Sequence, residues 1–408
     1  MTTSLIIILL YDKWDVQLIL SKSSFETEMI AKQEEEFLMH NDTKLFSSYQ
    51  LGSLQLPNRA VLSPMTRTSA EQTGEATARM ASYYSRFAQG GFGLIITEGI
   101  YPDHMNSRSY ENQPGIADDQ QAEEWKLVVE AVHNAGGKII AQLMHGGALV
   151  QHDSFTAVAP SAVQPVGSML EDHGGSGEFA VPREITTAEI RDVIESFAQA
   201  AVRAKQAGFD GVEVHGANGY LLDQFLTDYS NQRTDEYGGK TENRIRLTVE
   251  VLQAIRKAVG SEYPVGVRIS QGKVNDFHHK WADGEKDAKI IFEQLAAASA
   301  TYIHTTEYKA FAPAFSDSLS TLAALAKRYS KLPVIANGKL GESEKAEKLL
   351  EKNETDLVAI GTSAIVNPDW VYKIKEGRAL NTFEHSYLQP IATLREEEYT
   401  NGEEKYAY

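Results

Sequence analysis

Short apolar runs rich in Val and Ile recur along the chain, and several are followed by a longer amphipathic stretch. The apolar runs predict eight β-strands, at Ala60–Met65, Leu94–Gly99, Lys138–His145, Val212–His215, Val265–Ser270, Tyr302–Thr306, Val334–Asn337 and Leu357–Gly361. The stretches with helical spacing predict α-helices at Ala122–Asn134, Thr187–Ala207, Glu242–Val259, Lys286–Ala298, Ser318–Tyr329 and Glu342–Lys352. Glycine or proline stands at many of the junctions, as expected between such elements.

This alternation of strand and helix is typical of an α/β fold with a parallel sheet, and eight units favour closure into a (β/α)8 TIM barrel. We therefore predict one barrel domain over the repeating part of the chain. An open, doubly wound sheet is the competing architecture. It is disfavoured because no G-x-G-x-x-G follows an early strand, as a dinucleotide-binding half would require.

The two ends of the chain look unlike the repeating part. Residues 1–40 are predicted to be an N-terminal extension outside the fold, with a possible start site at Met39. Their apolar run at Leu5–Leu10 is too short to cross a bilayer, and the basic residues that open a signal peptide do not precede it. Residues 394–408 are acidic and glycine-interrupted, which predicts a loosely held C-terminal tail.

Composition narrows the class of function. The chain of 408 residues carries 39 basic and 56 acidic residues, a net charge of −17, which argues against nucleic-acid and anionic-membrane partners. A cytoplasmic protein is the expectation, and a homo-oligomer stays an open alternative. The chain has no cysteine, which excludes disulfides, thiol nucleophiles and iron–sulfur clusters. Any redox chemistry must therefore come from a bound organic cofactor.

Polar residues gather where the predicted strands end, which is where a TIM barrel places its active site. Taken singly, Gln142 could be a satisfied interior amide, Arg268 a paired structural cation and His215 a hydrogen-bonded core histidine. Asn218 could belong to an ordinary turn. Together at one end of a barrel, buried polar groups are costly unless a ligand satisfies them, so they predict a polar ligand. The predicted strand ends contain no cluster of Asp, Glu and His residues, so no metal site is predicted.

Four segments carry a resemblance to a known family: "NRAVLSPMTR", "AQLMHGG", "VEVHGANGYLLDQFLTDYSNQRTDEYGGKTENRIR" and "IANGKL…LVAIGTSAIVNPDW". They resemble the Old Yellow Enzyme family of FMN-dependent ene-reductases, also called NADH:flavin oxidoreductases. The likeness covers residues 44 to about 393. It implies the same eight-stranded barrel, noncovalent FMN across its carboxyl end, and NADH or NADPH as hydride donor.

The resemblance assigns cofactor contacts to eight residues: Pro64, Met65, Thr66, Gln142, Arg268, Gly338, Gly361 and Thr362. In this pattern Thr66 lies near a flavin carbonyl, and Gln142 reaches the pyrimidine edge of the ring. Arg268 stands where a permanent cation favours the reduced, anionic flavin. The backbone around Gly338 and Gly361–Thr362 corresponds to the phosphate cradle.

The resemblance also assigns the substrate site. His215 and Asn218 correspond to the pair that donates hydrogen bonds to the carbonyl or nitro oxygen of an electrophilic alkene. Tyr220 corresponds to the residue that gives a proton to the α-carbon. The expected substrate is therefore a small α,β-unsaturated carbonyl or nitro compound, with quinones as further acceptors.

Three positions depart from the family pattern or align loosely. Many relatives have Gly–Arg where this chain has Gly361–Thr362, so the phosphate is expected to depend on backbone amides and the Thr362 hydroxyl. Several relatives carry a bulky residue, often tryptophan, at the position of Ala117, which predicts a wider substrate pocket here. Tyr387 is a candidate for a further active-site tyrosine near the C-terminus.

Two other functions stay open. A flavin-free barrel lyase or epimerase acting on a sugar phosphate would use a Schiff-base lysine or metal-binding carboxylates, and Lys339 is the nearest lysine after the seventh strand. The alternative that is not an enzyme is a barrel that binds flavin without productive turnover. The sequence does not choose between NADH and NADPH.

Overall fold

The computed structural model describes residues 43–152 and 154–400. Its strands, numbered in chain order, are β1 Tyr49–Leu51, β2 Leu54–Leu56, β3 Ala60–Leu62, β4 Leu94–Ile100, β5 Ile139–Leu143, β6 Val158–Ala159, β7 Arg183–Glu184, β8 Gly211–Asn218, β9 Val265–Lys273, β10 Tyr302–Thr306, β11 Val334–Asn337 and β12 Leu357–Ile360. Its α-helices are Ala78–Gln89, Asp119–Asn134, Thr187–Gln206, Leu221–Leu226, Thr241–Arg244, Arg246–Val259, Glu285–Ala297, Leu322–Ser330, Ser343–Glu351, Thr362–Val366 and Trp370–Lys375.

Eight parallel strands close into a barrel in the order β10–β11–β12–β3–β4–β5–β8–β9, which confirms the predicted TIM barrel. Each predicted strand corresponds to one barrel strand. The first ends earlier than predicted, at Leu62, since Pro64 lacks the N–H group that a continuing ladder needs. Strands β8 and β9 are longer than predicted because they pair with each other as far as Asn218 and Lys273.

The helices follow the predicted positions with two instructive differences. The predicted helix Glu242–Val259 is divided at Ile245 into two helices. The predicted helix Ser318–Tyr329 begins at Leu322, because the Thr321 hydroxyl accepts a hydrogen bond from the Ala324 N–H and caps it. The helix Ala78–Gln89, which the hydrophobic pattern did not indicate, buries Met80, Tyr83 and Phe87 on one face.

The amino end of the barrel is closed by apolar packing. The hairpin β1–β2 places Leu51, Leu54 and Leu56 in a cluster with residues from six barrel strands, such as Val61 and Ile140. Strands that are buried along their whole length are typical of a parallel barrel. The polar side chains of the barrel interior lie toward its carboxyl end, so the fold itself places the candidate site there.

The chain after the last helix returns to the barrel. Glu398, which is 4% exposed, accepts hydrogen bonds from the buried guanidinium groups of Arg67 and Arg86. Arg67 also donates to the carbonyl oxygens of Ala392 and Thr393. Packing therefore continues past residue 393, where the loosely held tail was predicted to begin. The rest of that tail, residues 401–408, and the predicted extension 1–40 lie outside the described residues.

Two kinds of feature are absent from the described ranges. Over residues 43–152 and 154–400, no helix is long and apolar enough to cross a membrane. The same part of the chain holds no cluster of three or more His, Cys, Asp or Glu residues able to bind a metal ion.

Candidate active site

A cavity of about 150 Å³ lies at the carboxyl end of the barrel. Seven of the predicted site residues line it: Pro64, Thr66, Gln142, His215, Asn218, Tyr220 and Arg268. These residues come from four segments of the sequence, and each lies in or shortly after one of four barrel strands. Five further residues complete the lining: Gly99, Met144, Leu170, His173 and Val274.

The protonation state of His215 follows from its hydrogen bonds. Its Nδ1 accepts the backbone N–H of Ala217 at 3.3 Å, so the proton of the neutral ring is on Nε2. Burial, with the nearby Arg268 cation and His304, holds the pKa of His215 well below its ordinary value. At neutral pH His215 is therefore an uncharged ring with one N–H group. No protein group in the described chain accepts a hydrogen bond from that N–H.

Asn218 occupies a backbone conformation that few residues adopt. Its φ is +62°, in the left-handed region where asparagine is tolerated, and it lies at an irregularity in the pairing of β8 with β9. The Asn218 N–H donates to the Ser270 hydroxyl at 2.8 Å, and its carbonyl accepts from the Val274 N–H. Within the described ranges its side-chain amide has no protein partner, so it is available to a ligand.

A buried ion pair fixes the turn that follows. Lys273 Nζ lies 2.8 Å from Asp223 Oδ1, and both side chains are at most 2% exposed. Asp223 Oδ2 also accepts the Gly219 N–H at 2.7 Å. Gly219 has φ +88°, and a Cβ there would come within 2.7 Å of the Asn275 side chain, so the turn requires glycine. Breaking a buried pair is costly, which makes this turn a rigid support for Asn218 and Tyr220.

Tyr220 meets a second tyrosine that the sequence did not indicate. Its hydroxyl lies 2.6 Å from the hydroxyl of Tyr110, and its ring meets the His215 ring edge-on at 4.9 Å between centroids. Burial raises the pKa of Tyr220, although Tyr110 and Arg268 oppose the rise. The rings of Tyr110 and His173 are 4.7 Å apart. Tyr110 lies in a loop and His173 in a short 3-10 helix, neither at a strand end, so sequence reasoning missed both.

A hydrogen-bonded layer inside the barrel supports Gln142. Its Nε2 donates at 2.8 Å to Glu213, whose other carboxylate oxygen accepts from Tyr302 and His304. Burial favours the neutral acid, but His304, Arg268 and Gln142 outweigh it and hold the pKa of Glu213 below its ordinary value. Because the donated proton fixes the amide orientation, the Gln142 oxygen is left as the free acceptor. The alternation in "VEVH", with Glu213 two residues before His215, was a signal for this layer.

Arg268 is only partly satisfied by the protein. Its Nη2 donates to Asn337 at 2.9 Å and to Thr306 at 3.3 Å, whereas its buried Nε has no acceptor. Burial lowers the pKa of Arg268 to about 10, so the group keeps its charge at neutral pH. A buried cation with an unpaired donor is costly, which fits a ligand carrying an acceptor at this side of the cavity.

The loops after β11 and β12 offer open backbone donors. In the described part of the chain, the N–H groups of Gly338, Lys339, Gly361 and Thr362 donate to no protein acceptor. Gly338 has φ +137°, and a Cβ there would come within 2.0 Å of the Glu307 carbonyl. Strands β11 and β12 are neighbours, so these donors lie side by side. Such a group of amides suits a phosphate, and with the free acceptor of Gln142 and the cation of Arg268 it fits FMN.

Some predicted residues lie elsewhere. Met65 does not line the cavity, and its sulfur lies 3.8 Å from the position of a Cβ on Gly361. Ala117 is also absent from the lining, and its N–H donates to the Gln121 side chain near the start of the helix Asp119–Asn134. Tyr387 lines a separate cavity of about 680 Å³ beside the helix Ala78–Gln89, so it is not placed at this site. Lys339 points its amino group to the exposed Tyr308 hydroxyl, outside the cavity, which offers no support for a Schiff-base lysine.

This chain is similar to known proteins over most of its length. Residues 44–381 match the model of the NADH:flavin oxidoreductase / NADH oxidase family. A probable flavin mononucleotide-dependent alkene reductase of Leishmania infantum is 37% identical over 81% of this chain and 90% of its own length. An NADH oxidase of Thermoanaerobacter brockii is 35% identical over 82% of this chain, which spans 51% of that protein.

Solved structures agree in fold. An Old Yellow Enzyme homologue from Zymomonas mobilis superposes with a TM-score of 0.79 at 30% identity, covering 88% of this chain and 99% of that one. Morphinone reductase in complex with tetrahydroNAD gives a TM-score of 0.77 at 34% identity, covering 88% and 97%.

Proposed function

This chain belongs to the NADH:flavin oxidoreductase / NADH oxidase family, together with Old Yellow Enzyme homologues, and from that premise we propose an ene-reductase. The family is one of FMN-dependent oxidoreductases that use NADH or NADPH. We infer that this member reduces the activated C=C bond of α,β-unsaturated carbonyl and nitro compounds, and also quinones.

One observation carries the proposal: two donors without a protein partner and the hydroxyl of Tyr220 converge on one cavity. The Nε2–H of neutral His215 and the amide of Asn218 can both donate to a carbonyl or nitro oxygen. Donors fixed before the reaction stabilise the charge that develops on that oxygen as the alkene accepts hydride. The hydride is the chemistry that FMN, held in this site, would supply. The Tyr220 hydroxyl then provides the proton for the α-carbon.

The residues that would hold the cofactor have distinct tasks. Gln142 presents its oxygen as an acceptor, because Glu213 has fixed its N–H₂ group. Arg268 lines the same cavity and brings a permanent positive charge with a free Nε–H donor, which favours a reduced and anionic ring system. The open amides at Gly338 and Gly361 would hold the phosphate.

The deciding experiment uses the purified protein. We expect a yellow protein with releasable FMN, whose visible absorbance is bleached anaerobically by NADH or NADPH and restored by 2-cyclohexenone. A colourless protein that fails to bind FMN would favour the flavin-free lyase or epimerase. Flavin that is bleached but not restored by an enone would favour a binding protein without productive turnover.

His215→Ala tests the oxygen-binding pair. The change removes one of two donors, so we expect binding of a phenolic ligand and reduction of 2-cyclohexenone to weaken together, by about 10²–10³-fold in rate. Ligand titration and stopped-flow absorbance measure the two effects. Unchanged phenol affinity would remove His215 from the pair.

Thr362→Arg tests the phosphate cradle. Thr362 is exposed, so an introduced arginine is screened by solvent and should strengthen FMN binding by roughly 3- to 10-fold. Fluorescence titration of apoprotein measures this, with riboflavin as the control because it lacks the phosphate. Equal effects on FMN and riboflavin would show that position 362 does not face the phosphate.

A further inference from the structure

We propose that Tyr110 is a positioning residue that acts through Tyr220, so that the α-carbon is protonated by a pair of tyrosines. This inference rests on the proposed function, in which Tyr220 is the proton donor. Tyr110 itself does not line the cavity. It reaches the proposed proton donor through the 2.6 Å contact between the two hydroxyl oxygens.

Both rings are held firmly enough to keep that contact. Tyr110 is 1% exposed and Tyr220 is 4% exposed, and both belong to one apolar cluster with Met144, Leu149 and Phe179. The Tyr110 ring packs against His173 and the Tyr220 ring against His215. Among the described residues, each hydroxyl has the other as its sole protein partner. Neither oxygen can therefore exchange this bond for another within the protein.

Two proton arrangements satisfy such a pair, but only one supports the reaction. If Tyr220 donates to Tyr110, its proton is directed away from the cavity and the Tyr110 proton is left without an acceptor. If Tyr110 donates to Tyr220, the Tyr220 proton is free to point at a bound α-carbon. In the first arrangement the unpaired proton lies in the apolar interior, whereas in the second it faces the cavity and the enolate that forms there, so the second arrangement is favoured.

The same bond lowers the barrier to proton transfer. Hydride addition at the β-carbon leaves an enolate; its α-carbon forms a C–H bond as the O–H bond of Tyr220 breaks, and the charge moves to the Tyr220 oxygen. That phenolate accepts the Tyr110 hydrogen bond, which strengthens as the acceptor becomes charged. Arg268 is the nearby cation that also favours it. Water then returns one proton to Tyr220, so the pair ends as it began.

The test compares Tyr110→Phe with Tyr220→Phe and with the double variant, each in the FMN-loaded protein. Tyr110→Phe should slow reoxidation by 2-cyclohexenone about tenfold or more, since hydrogen bonds to charged groups are worth that much, and should enlarge the solvent deuterium isotope effect. Reduction by NADH or NADPH and turnover of a quinone should stay within twofold. The double variant should be no slower than Tyr220→Phe alone, because Tyr110 acts only through Tyr220.

Tyr101→Phe is the matched control, since Tyr101 is also a buried tyrosine whose hydroxyl bonds elsewhere, to Gln121 and Thr73. It should leave the isotope effect unchanged. If Tyr110→Phe leaves enone reduction unchanged, or slows it equally in the Tyr220→Phe background, Tyr110 is merely structural and the inference is wrong. If Tyr220→Phe itself has no effect on enone reduction, the proton-donor step of the proposed function fails first, and the inference falls with it.

Discussion

Tyr220→Phe should slow reduction of an enone by about 10²–10⁴-fold, the contribution usual for a positioned general acid. The change removes one hydroxyl and keeps the ring, so the edge-on contact with His215 survives. Binding of FMN and its reduction by NADH or NADPH should therefore be little changed. Stopped-flow absorbance, with the two half-reactions followed separately, measures both effects.

Quinones provide the internal control for this variant, because they accept hydride at oxygen or electrons singly and need no proton on carbon. Their turnover should survive the loss of the Tyr220 hydroxyl. A variant in which the nicotinamide half-reaction slows as much as enone reduction would show that Tyr220 shapes the site, and the proton-donor role would have to be abandoned.

Glu398→Ala should destabilise the protein by about 3–5 kcal/mol, the cost of removing one partner from a buried ion pair. Two guanidinium groups, those of Arg67 and Arg86, would lose their shared carboxylate in a site where Arg67 is 1% exposed. Arg67 directly follows Thr66 in the loop that lines the cavity, so weaker FMN retention should accompany the loss. Urea unfolding at neutral pH measures the free energy of unfolding.

Glu397→Ala is the matched control, since the Glu397 side chain is 57% exposed and its distance to Arg395 is 3.9 Å. It should change the free energy of unfolding by less than about 1 kcal/mol. Burial raises the pKa of Glu398, but Arg67 and Arg86 outweigh it and leave the pKa below the ordinary 4.5. The contribution of the Glu398 carboxylate to stability is thus complete at neutral pH, and it is lost as the pH falls through the folded-state pKa of this group. Equal free energies of unfolding for Glu398→Ala and Glu397→Ala would contradict the stabilising role of the Glu398 ion pairs.

The sequence by itself determined the architecture and the position of most of the cavity lining. Alternating strand and helix patterns are local, so β10 and β11 were predicted with their observed ends, and the barrel followed from counting the units. The carboxyl ends of parallel strands meet at one end of a barrel, which is why Gln142, His215 and Arg268 could be assigned to one site.

The tertiary structure alone decided which partners those residues have. Tyr110 and Tyr220 are 110 positions apart, and Arg67 and Glu398 are 331 apart, so no local pattern could join them. The hydrogen bond from the Ala217 N–H to His215 forms only in the folded turn, and it decides which ring nitrogen carries the proton. Hydrophobic periodicity and turn chemistry depend on residues that are close in sequence, so they determine the helices and strands. Apolar packing and ion pairs join distant segments, so they exist only once the barrel has closed.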